Sequence, residues 1–245
     1  MKKEKQTKIL LDKIEFRNRN FTIYLRPDAD ESVVAEIFDW RDYKAVEEII
    51  AKSDLPVLDV GAHIGIFSLY ASALNPTVKI YALEPEKVNF ALLLKNIFAN
   101  KLENVKVHKI ALAGKTEKRE LVLAPDSINH HLAGAGDENA AADSKRESVP
   151  AISPADFFKT YNIAAVGLMK IDIEAGEYEV FENMSDEDFS KIYNIILEYH
   201  DYGGRSHREI EKILREHDFS VQISSSRFEN DSGFMLARNK QVGKG

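Results

Sequence analysis

The chain has 245 residues, a length that fits one α/β domain with a short extension. Hydrophobic residues make up 44% and charged residues 30%, which is typical of a globular protein with a substantial core, and the net charge of −7 argues against a dominant nucleic-acid-binding surface. The chain has no cysteine, so disulfides and thiolate metal sites are excluded.

The first 53 residues are interpreted as an extension (1–53) that packs on a main domain at 54–245. The apolar stretch Ile9–Leu11 is too short for a signal-peptide core, and no run approaches the roughly 20 apolar residues of a membrane span. A cytoplasmic location is therefore expected. Within the extension, Phe21–Leu25 predicts a short strand, and Asp42–Ala51 carries apolar residues at helical spacing.

The main domain alternates apolar strands with helices, which implies parallel pairing through right-handed crossovers. The strands are predicted at Leu55–Val60, Val78–Leu83, Val105–Ala111, Val166–Ile173 and Ile192–Tyr199. Helical spacing is carried by two sets of apolar residues, Ile66, Leu69, Tyr70 and Ala73, and then Phe90, Leu93, Leu94 and Ile97. Two later helices begin at predicted N-caps, at Ser153 before Pro154 and at Ser206, which forms a capping box with Glu209.

Two short strands close the chain, Ser220–Ser224 and Gly233–Ala237, and they are too close in sequence for a helical crossover. The expected fold class is therefore α/β, a seven-stranded and mostly parallel sheet with an antiparallel C-terminal hairpin and helices on both faces. This strand inventory is that of the class I methyltransferase (Rossmann-like) fold, whereas a plain dinucleotide-binding fold would continue with parallel strands.

A segment between the third and fourth strands breaks the alternation. Glu120–Leu123 and Ser148–Ile152 are predicted as accessory strands. The stretch Ala133–Ser148 is small and polar, so we predict a mobile surface loop at about residues 126–148. Long loops inside compact domains often act as lids over a site.

The sequence Val57-Leu58-Asp59-Val60-Gly61-Ala62-His63-Ile64-Gly65 places a glycine-rich turn between a buried strand and a helix. Glycines there allow a tight turn and close approach of a ligand outside the carboxyl end of the strand. Asp59 needs a partner, because a buried carboxylate is costly without one, and an ammonium group on a ligand would be one such partner. The spacing Gly61-x-x-x-Gly65 departs from the dinucleotide fingerprint, and an ordinary strand–helix turn is the alternative interpretation.

Glu84 directly follows the second strand and lies 84 − 59 = 25 residues beyond Asp59, close to the ~20-residue offset of a ribose-binding acid. A carboxylate accepts hydrogen bonds from two ribose hydroxyls at once. Pro85 suits the first turn of the next helix. The alternative is that Glu84 only caps that helix.

Three acids follow the fourth strand in Lys170-Ile171-Asp172-Ile173-Glu174-Ala175-Gly176-Glu177. Like charges this close disfavour full ionisation, so one carboxylate is a candidate general base with a raised pKa. A divalent metal held by these oxygens is an alternative, although we assign no metal ligand. In the simplest interpretation, Lys170 pairs with one acid while the others stabilise the start of the next helix.

Three histidines are candidates for the acceptor side. His200 follows the fifth strand on the same rim as the glycine-rich turn, and histidine suits the removal of a proton near neutral pH. His130 and His131 precede the predicted loop, where they would close over a substrate. The alternative for each of them is a surface histidine without a role.

Four segments, in this order and spacing, resemble the FkbM family of methyltransferases: VLDVGAHIGIFSLYA, YALEPEKVNFALLLKNIFAN, GLMKIDIEAGEYEVFENM and IILEYHDY. The lead-in LRPDADESVVAEIFDWRDY also resembles that family, so the matches span Arg26 to Tyr202. The resemblance implies a class I methyltransferase fold, S-adenosylmethionine as methyl donor, and usually a hydroxyl on a small molecule or sugar as acceptor.

The same resemblance implies roles for individual residues. The methionine part of the cofactor would be surrounded by Asp59, Gly61, Ala62, His63 and Gly65, and its ribose would be bound by Glu84. Pro85 and Ala111 are assigned to the cofactor site as well. The acidic motif of the family is matched by Asp172, Glu174 and Glu177. The family usually has asparagine in place of His63, and glycine then alanine in place of Ala175 then Gly176.

We therefore expect an S-adenosylmethionine-dependent methyltransferase in which His200, Asp172 or Glu174 takes the proton from an acceptor hydroxyl. One rival is an RNA (tRNA) base methyltransferase of the same fold, which the acidic charge and the lack of an RNA-binding appendage disfavour. A non-catalytic module that binds S-adenosylmethionine is a second rival, and a nucleotide-dependent oxidoreductase, which would need a phosphate cradle, is a third. The sequence leaves the acceptor and the oligomeric state open.

Overall fold

The described chain begins with a β-hairpin followed by short helical turns. This computed structural model describes residues 8–27, 29–124, 126–134, 145–201, 203–226 and 231–242. Strand β1 (Leu10–Phe16) pairs antiparallel with β2 (Arg19–Leu25), and the two residues between them, Arg17 and Asn18, both have positive φ, as a type I′ turn requires. The chain continues through α1 (Ala29–Val34), a π-helical turn (Ala35–Asp39), a 3₁₀ turn (Asp42–Val46) and α2 (Glu47–Lys52).

Two predictions for this part of the chain need correction. The strand at Phe21–Leu25 is confirmed, but its partner β1 was missed, because Arg-Asn is a weak turn signal compared with Asn-Gly and β1 is mostly exposed. The helix predicted over Asp42–Ala51 divides into the 3₁₀ turn and α2, since only the second half has α-helical hydrogen bonding.

The hairpin is fastened to the rest of the molecule by two amide side chains. Asn96 exchanges hydrogen bonds with the backbone of Tyr24, at 2.7 and 3.1 Å, and Asn100 does so with Thr22, both at 2.8 Å. The two amides thus provide hydrogen-bond partners for the backbone N–H and C=O groups on the edge of β2 that does not pair with β1. The division of the chain at residues 53 and 54 stays a prediction, and the extension shares one hydrophobic core with the helices that follow.

The remaining elements follow in chain order. They are β3 (Val57–Val60), α3 (Ile66–Leu74), β4 (Ile80–Leu83), α4 (Lys87–Ala99), β5 (Val105–His108), β6 (Ala111–Leu112), β7 (Glu117–Leu123), β8 (His131–Leu132), β9 (Lys145–Ile152), α5 (Pro154–Thr160), β10 (Leu168–Ile171), α6 (Glu177–Glu182), α7 (Asp186–Ser190), β11 (Asn194–His200), α8 (His207–Glu216), β12 (Phe219–Ser225) and β13 (Ser232–Asn239). No helix within the described ranges is both long and apolar enough to cross a membrane.

The central sheet has seven strands in the order β12-β13-β11-β10-β3-β4-β5. The five strands from β11 to β5 are parallel, while β13 runs antiparallel to β11 and β12 antiparallel to β13. This arrangement confirms the predicted α/β class with its antiparallel C-terminal hairpin. The N-caps at Ser153 and Ser206 are confirmed as well, the latter as a complete capping box with Glu209.

Helices cover both faces of this sheet, because successive residues of each strand point to opposite sides. Val57 and Ile80 pack with α3 and α4 on one face, whereas Leu58 and Tyr81 pack with α5 to α8 on the other. With both faces buried, these strands are short runs of buried residues that are apolar except for Asp59 in β3 and Lys170 in β10.

A second sheet of four strands, in the order β6-β9-β7-β8, lies beside the central one. The third strand predicted at Val105–Ala111 is therefore wrong at its end: β5 stops at His108, and Ala111 pairs with Ala151 in the second sheet. The loop predicted at about 126–148 needs correction at both ends, since β8 and the start of β9 fall within it. Residues 135–144 of that loop lie outside the described residues.

Candidate active site

A cavity of about 1030 Å³ opens at the carboxyl ends of the parallel strands, where α/β folds bind their ligands. Its walls also include the second sheet, the C-terminal hairpin and the extension. Most of the predicted site residues line it, namely Gly61, Ala62, His63, Glu84, Pro85, Ala111, Asp172, Glu174 and His200. Of the predicted set, Asp59 and Gly65 lie outside the described lining.

Gly61 turns the chain at the end of β3 in a conformation that only glycine adopts easily. Its φ is +74°, and a Cβ atom there would overlap the backbone carbonyl oxygen of Asp172. The glycine therefore lets β3 and β10 converge at the rim of the cavity. Gly65, with φ +90°, instead makes room for Leu93 of α4, so its role in the structure is helix packing.

Asp59 is fully buried behind the cavity wall, and its partners are within the protein. Its Oδ2 accepts a hydrogen bond of 2.6 Å from Ser68, and its Oδ1 lies 3.5 Å from the ammonium of Lys170. Lys170 also donates to the carbonyl oxygen of Gly61 at 2.8 Å and lies 3.5 Å from Asp172. The contacts of Lys170 therefore agree with the simplest interpretation, in which this lysine pairs with a nearby acid. Asp59 holds Lys170 in place, and Lys170 in turn holds the Gly61 turn through its carbonyl oxygen.

Both members of this pair have raised pKa values, for different reasons. Burial raises the pKa of Asp59, and this effect outweighs the attraction of Lys170. Burial alone would lower the pKa of Lys170, but the carboxylates of Asp172 and Asp59 outweigh it and raise that pKa. Negative charge is therefore in excess over positive charge around Lys170.

Glu84 lies at the rim with both oxygens engaged by backbone groups. Oε2 accepts a 2.9 Å hydrogen bond from the backbone N–H of His63, and Oε1 accepts one of 2.9 Å from that of Glu86. In the ionised form of Glu84 each oxygen keeps a second lone pair for a ligand hydroxyl. Burial raises the pKa of Glu84 to about 8. Helix α4 is capped by Glu86 and not by Glu84, since the Glu86 side chain accepts from the backbone N–H of Asn89.

His63 belongs to a polar network that sequence reasoning missed. Its Nε2 lies 3.1 Å from both Arg26 Nη2 and Asp30 Oδ1, and Arg26 binds Asp30 through two hydrogen bonds of 2.8 Å. Arg26 also donates to Asn89, and Ser127 donates to Asp30. Burial alone would raise the pKa of Asp30, but hydrogen bonds from His63 and Arg26 outweigh this effect and hold the pKa well below its usual range. The network ties the extension to α4 beside the cavity.

Asp172, Glu174 and His200 come together at the ends of the adjacent strands β10 and β11. One potential ligand atom from each of the three lies within 4.8 Å of the others. His200 Nε2 is 3.8 Å from Glu174 Oε2, while His200 Nδ1 is buried with no hydrogen-bond partner among the described residues. Burial, reinforced by the charges of Asp172 and Glu177, raises the pKa of Glu174 to about 9.

The turn that presents Glu174 is strained. Glu174 and Ala175 have φ values of 53° and 67°, in the left-handed region that favours glycine, whereas Gly176 has an ordinary φ of −71° at the start of α6. The order Ala175-Gly176, which departs from the usual family order, thus places alanine at a left-handed position. A Cβ on Gly176 would be within 3.1 Å of Ile173.

Two more acids complete this end of the site. Glu177 is fully buried, and its Oε1 accepts a 2.9 Å hydrogen bond from the backbone of Ile173, closing the turn. Glu198 lines the cavity from β11 and was missed, although its position directly after the apolar residues Ile195–Leu197 was a signal. Burial raises the pKa of both carboxyls, and Asp172 adds to the effect at each.

His130 and His131 both line the cavity from the second sheet and its approach. His130 Nδ1 accepts a 3.0 Å hydrogen bond from the backbone of Ala124, and burial lowers the pKa of His130. Their roles stay predictions.

The parallel sheet with its antiparallel hairpin has the strand order and directions of the class I methyltransferase fold, and the cavity lies at its carboxyl edge. The family profile described as methyltransferase FkbM domain matches residues 59–221. The chain is 29% identical over 214 residues to the 31-O-demethyl-FK506 methyltransferase FkbM of Streptomyces tacrolimicus. The match covers 76% of this chain and 80% of that protein. It is 24% identical over 232 residues to Methyltransferase 1 of Beauveria bassiana, covering 87% and 91% respectively.

Among solved structures, the Methanococcus jannaschii fibrillarin pre-rRNA processing protein superposes with a TM-score of 0.50 at 14% identity, over 97% of this chain and 85% of that one. A likeness at this identity concerns the fold alone. The sequence matches go further: the chain belongs to the FkbM methyltransferase family. It is an enzyme that uses S-adenosylmethionine as methyl donor.

Proposed function

We propose that this protein transfers the methyl group of S-adenosylmethionine to a hydroxyl oxygen of a small molecule or saccharide. The observation that carries the proposal is the meeting of Asp172, Glu174 and His200 in the cavity that Glu84 also lines. The name of the Streptomyces relative supports it, because 31-O-demethyl-FK506 designates an oxygen of a small molecule as methyl acceptor.

The residues of the cavity fit S-adenosylmethionine. Glu84 has a free lone pair on each oxygen for the ribose hydroxyls. Ile110, Ala111 and Leu112 would supply apolar surface for the adenine ring, and the excess of carboxylates near Asp172 suits the positively charged ammonium and sulfonium groups. When bound, the cofactor supplies a methyl group already activated on a sulfonium sulfur.

The protein's own residues orient the reactants and handle the proton. Lys170 holds the Gly61 turn through its carbonyl, and the backbone of His63 holds Glu84 in place. The group formed by Asp172, Glu174 and His200 would accept the proton of the acceptor hydroxyl while the methyl group passes to its oxygen and the bond from the methyl carbon to the sulfonium sulfur breaks. Positioning contributes the larger part of the rate, because the leaving group needs no further activation.

Calorimetric titration of S-adenosylmethionine tests the cofactor site. Glu84→Ala should weaken binding by at least about tenfold, since two hydrogen bonds of roughly 1 kcal/mol each are lost. Glu187→Gln, on the exposed surface of α7, is the matched control and should bind as the wild type does. Equal binding by Glu84→Ala and wild type would contradict the assigned ribose contact.

The acceptor class is tested with S-adenosylmethionine labelled in its methyl group. Wild-type protein is offered a panel of small hydroxyl compounds and saccharides, with tRNA in parallel. Label recovered on a hydroxyl oxygen of a panel compound, and lost in His200→Ala, supports the proposal. Label recovered only on an RNA base contradicts the acceptor class.

A further inference from the structure

We infer that Asp172, Glu174 and His200 form a site for one divalent transition-metal ion, which would hold the acceptor oxygen. The inference rests on the proposed function, because it assigns these three side chains to metal binding beside the methyl donor. It also replaces His200 as the proton acceptor, since a histidine bound to a metal is not available as a base.

The geometry of the three side chains supports a common ligand. Their candidate ligand atoms lie within 4.8 Å of one another, and His200 Nε2 is 3.8 Å from Glu174 Oε2, a separation that two ligands of one ion span. The side chains are 21% to 30% exposed, so they are held by the protein yet open to the cavity. One imidazole and two carboxylates suit Mn²⁺, Fe²⁺ or Zn²⁺ better than Ca²⁺.

A second observation points to the same site. Glu177 is fully buried, and its Oε2 has no hydrogen-bond partner among the described residues. Its charge interacts with both His200 and Glu174. The buried Nδ1 of His200 is likewise without a hydrogen-bond partner among the described residues, so two buried polar atoms beside the cluster lack a partner. A cation at the cluster would balance this buried negative charge.

A metal at this place has a clear chemical use. A hydroxyl oxygen bound to a divalent ion would lose its proton to solvent water more readily and would be held in one orientation, and the cluster is open enough to the cavity for water to reach it. The cluster and Glu84 line the same cavity, from β10 and β11 on one side and β4 on the other. An acceptor carrying two neighbouring oxygens would bind the ion best, because both oxygens would replace water.

Titration of Mn²⁺ into the full-length protein without cofactor, followed by the loss of the free-ion electron paramagnetic resonance signal, tests the site directly. One Mn²⁺ per chain is expected. Asp172→Asn, Glu174→Gln and His200→Gln should each weaken binding by at least about tenfold, since even the loss of a supporting contact costs about 10- to 100-fold in metal affinity. Asp42→Asn removes one charge from the same cavity outside the cluster and should bind as the wild type does.

The outcomes separate the metal from the methyl transfer. No saturable binding of Mn²⁺ or Zn²⁺, or binding that the three cluster substitutions leave unchanged in folded protein, overturns the metal site. Undiminished methyl transfer in the presence of a chelator does the same while leaving the proposed function intact. Failure of S-adenosylmethionine to bind, measured separately by calorimetry, would count against the proposed function instead.

Discussion

Replacing Lys170 with methionine should destabilise the folded protein by about 3–5 kcal/mol, the usual cost of removing one partner of a buried ion pair. Lys170 is 3% exposed and Asp59 is 0% exposed. The substitution leaves Asp59 with only the hydroxyl of Ser68, and it leaves the carbonyl oxygen of Gly61 without its 2.8 Å donor. Methionine fills a similar volume, so the loss is electrostatic and not a cavity effect.

Urea unfolding of four proteins measures this loss: wild type, Lys170→Met, Asp59→Asn and the double variant. Asparagine keeps a side-chain oxygen for Ser68 and removes the charge, so the double variant should recover part of the stability lost in Lys170→Met. Lys52→Met removes a lysine from an exposed ion pair with Glu48 and should unfold like the wild type.

The pH dependence gives the reasoning a second test. The pKa of Asp59 is raised in the folded protein, so folding favours its protonated form. The resulting stabilisation is fully present at pH values below the usual pKa of an aspartate, and it is lost as the pH rises through the raised pKa. Without Lys170 that pKa rises further, and the deficit of Lys170→Met should be larger at pH 8 than at pH 5. A Lys170→Met protein within about 1 kcal/mol of wild type at pH 8, with no recovery in the double variant, would refute the electrostatic argument.

Three further perturbations follow from the site. Ala175→Gly should stabilise the protein by about 0.5–1 kcal/mol in urea unfolding, because it relieves a left-handed alanine; a loss of stability would contradict that view. Gly61→Ala should cost about 3 kcal/mol or more, or prevent soluble expression, because its Cβ overlaps Asp172, and an unchanged melting temperature would show that the turn can shift. Burial raises the pKa of Glu84 from 4.5 to about 8, so the folded state keeps a proton that the unfolded chain releases. Stability should therefore fall as pH rises from about 5 to about 8, and Glu84→Gln should flatten this fall in thermal melts; equal slopes would contradict the raised pKa.

Local patterns in the sequence were enough to predict the central elements. The apolar runs at Leu55–Val60 and Val78–Leu83 contain β3 and β4, and the short connection after Ser224 forms the antiparallel hairpin. Such features depend on neighbouring residues alone, through side-chain period, capping chemistry and turn length. Because parallel strands align their carboxyl ends, the positions of Glu84 and Asp172 along the chain also predicted that both would lie at one edge of the sheet.

Elements whose stability depends on distant partners were not predictable in this way. The hairpin strand β1 is mostly exposed, and the second sheet pairs residues of β6 with residues of β9 that lie 151 − 111 = 40 positions further along the chain. Val105–Ala111 was predicted as a single strand, yet the chain leaves the central sheet after His108 and Ala111 pairs in the second sheet. A sequence pattern records which residues prefer burial, and it does not record which sheet buries them.

The sequence by itself determined the fold class, the family and the edge of the sheet where the site lies, because these depend on period, order and local motifs. Only the tertiary structure decided which charges meet. Asp59 was expected to face a ligand, but folding brings Lys170 from the neighbouring strand to within 3.5 Å of it. His200 and Glu174 meet because β10 and β11 are adjacent, and Asp30 reaches His63 because the extension folds over α4. Pairings of this kind depend on distance and burial in three dimensions, which no single stretch of sequence contains.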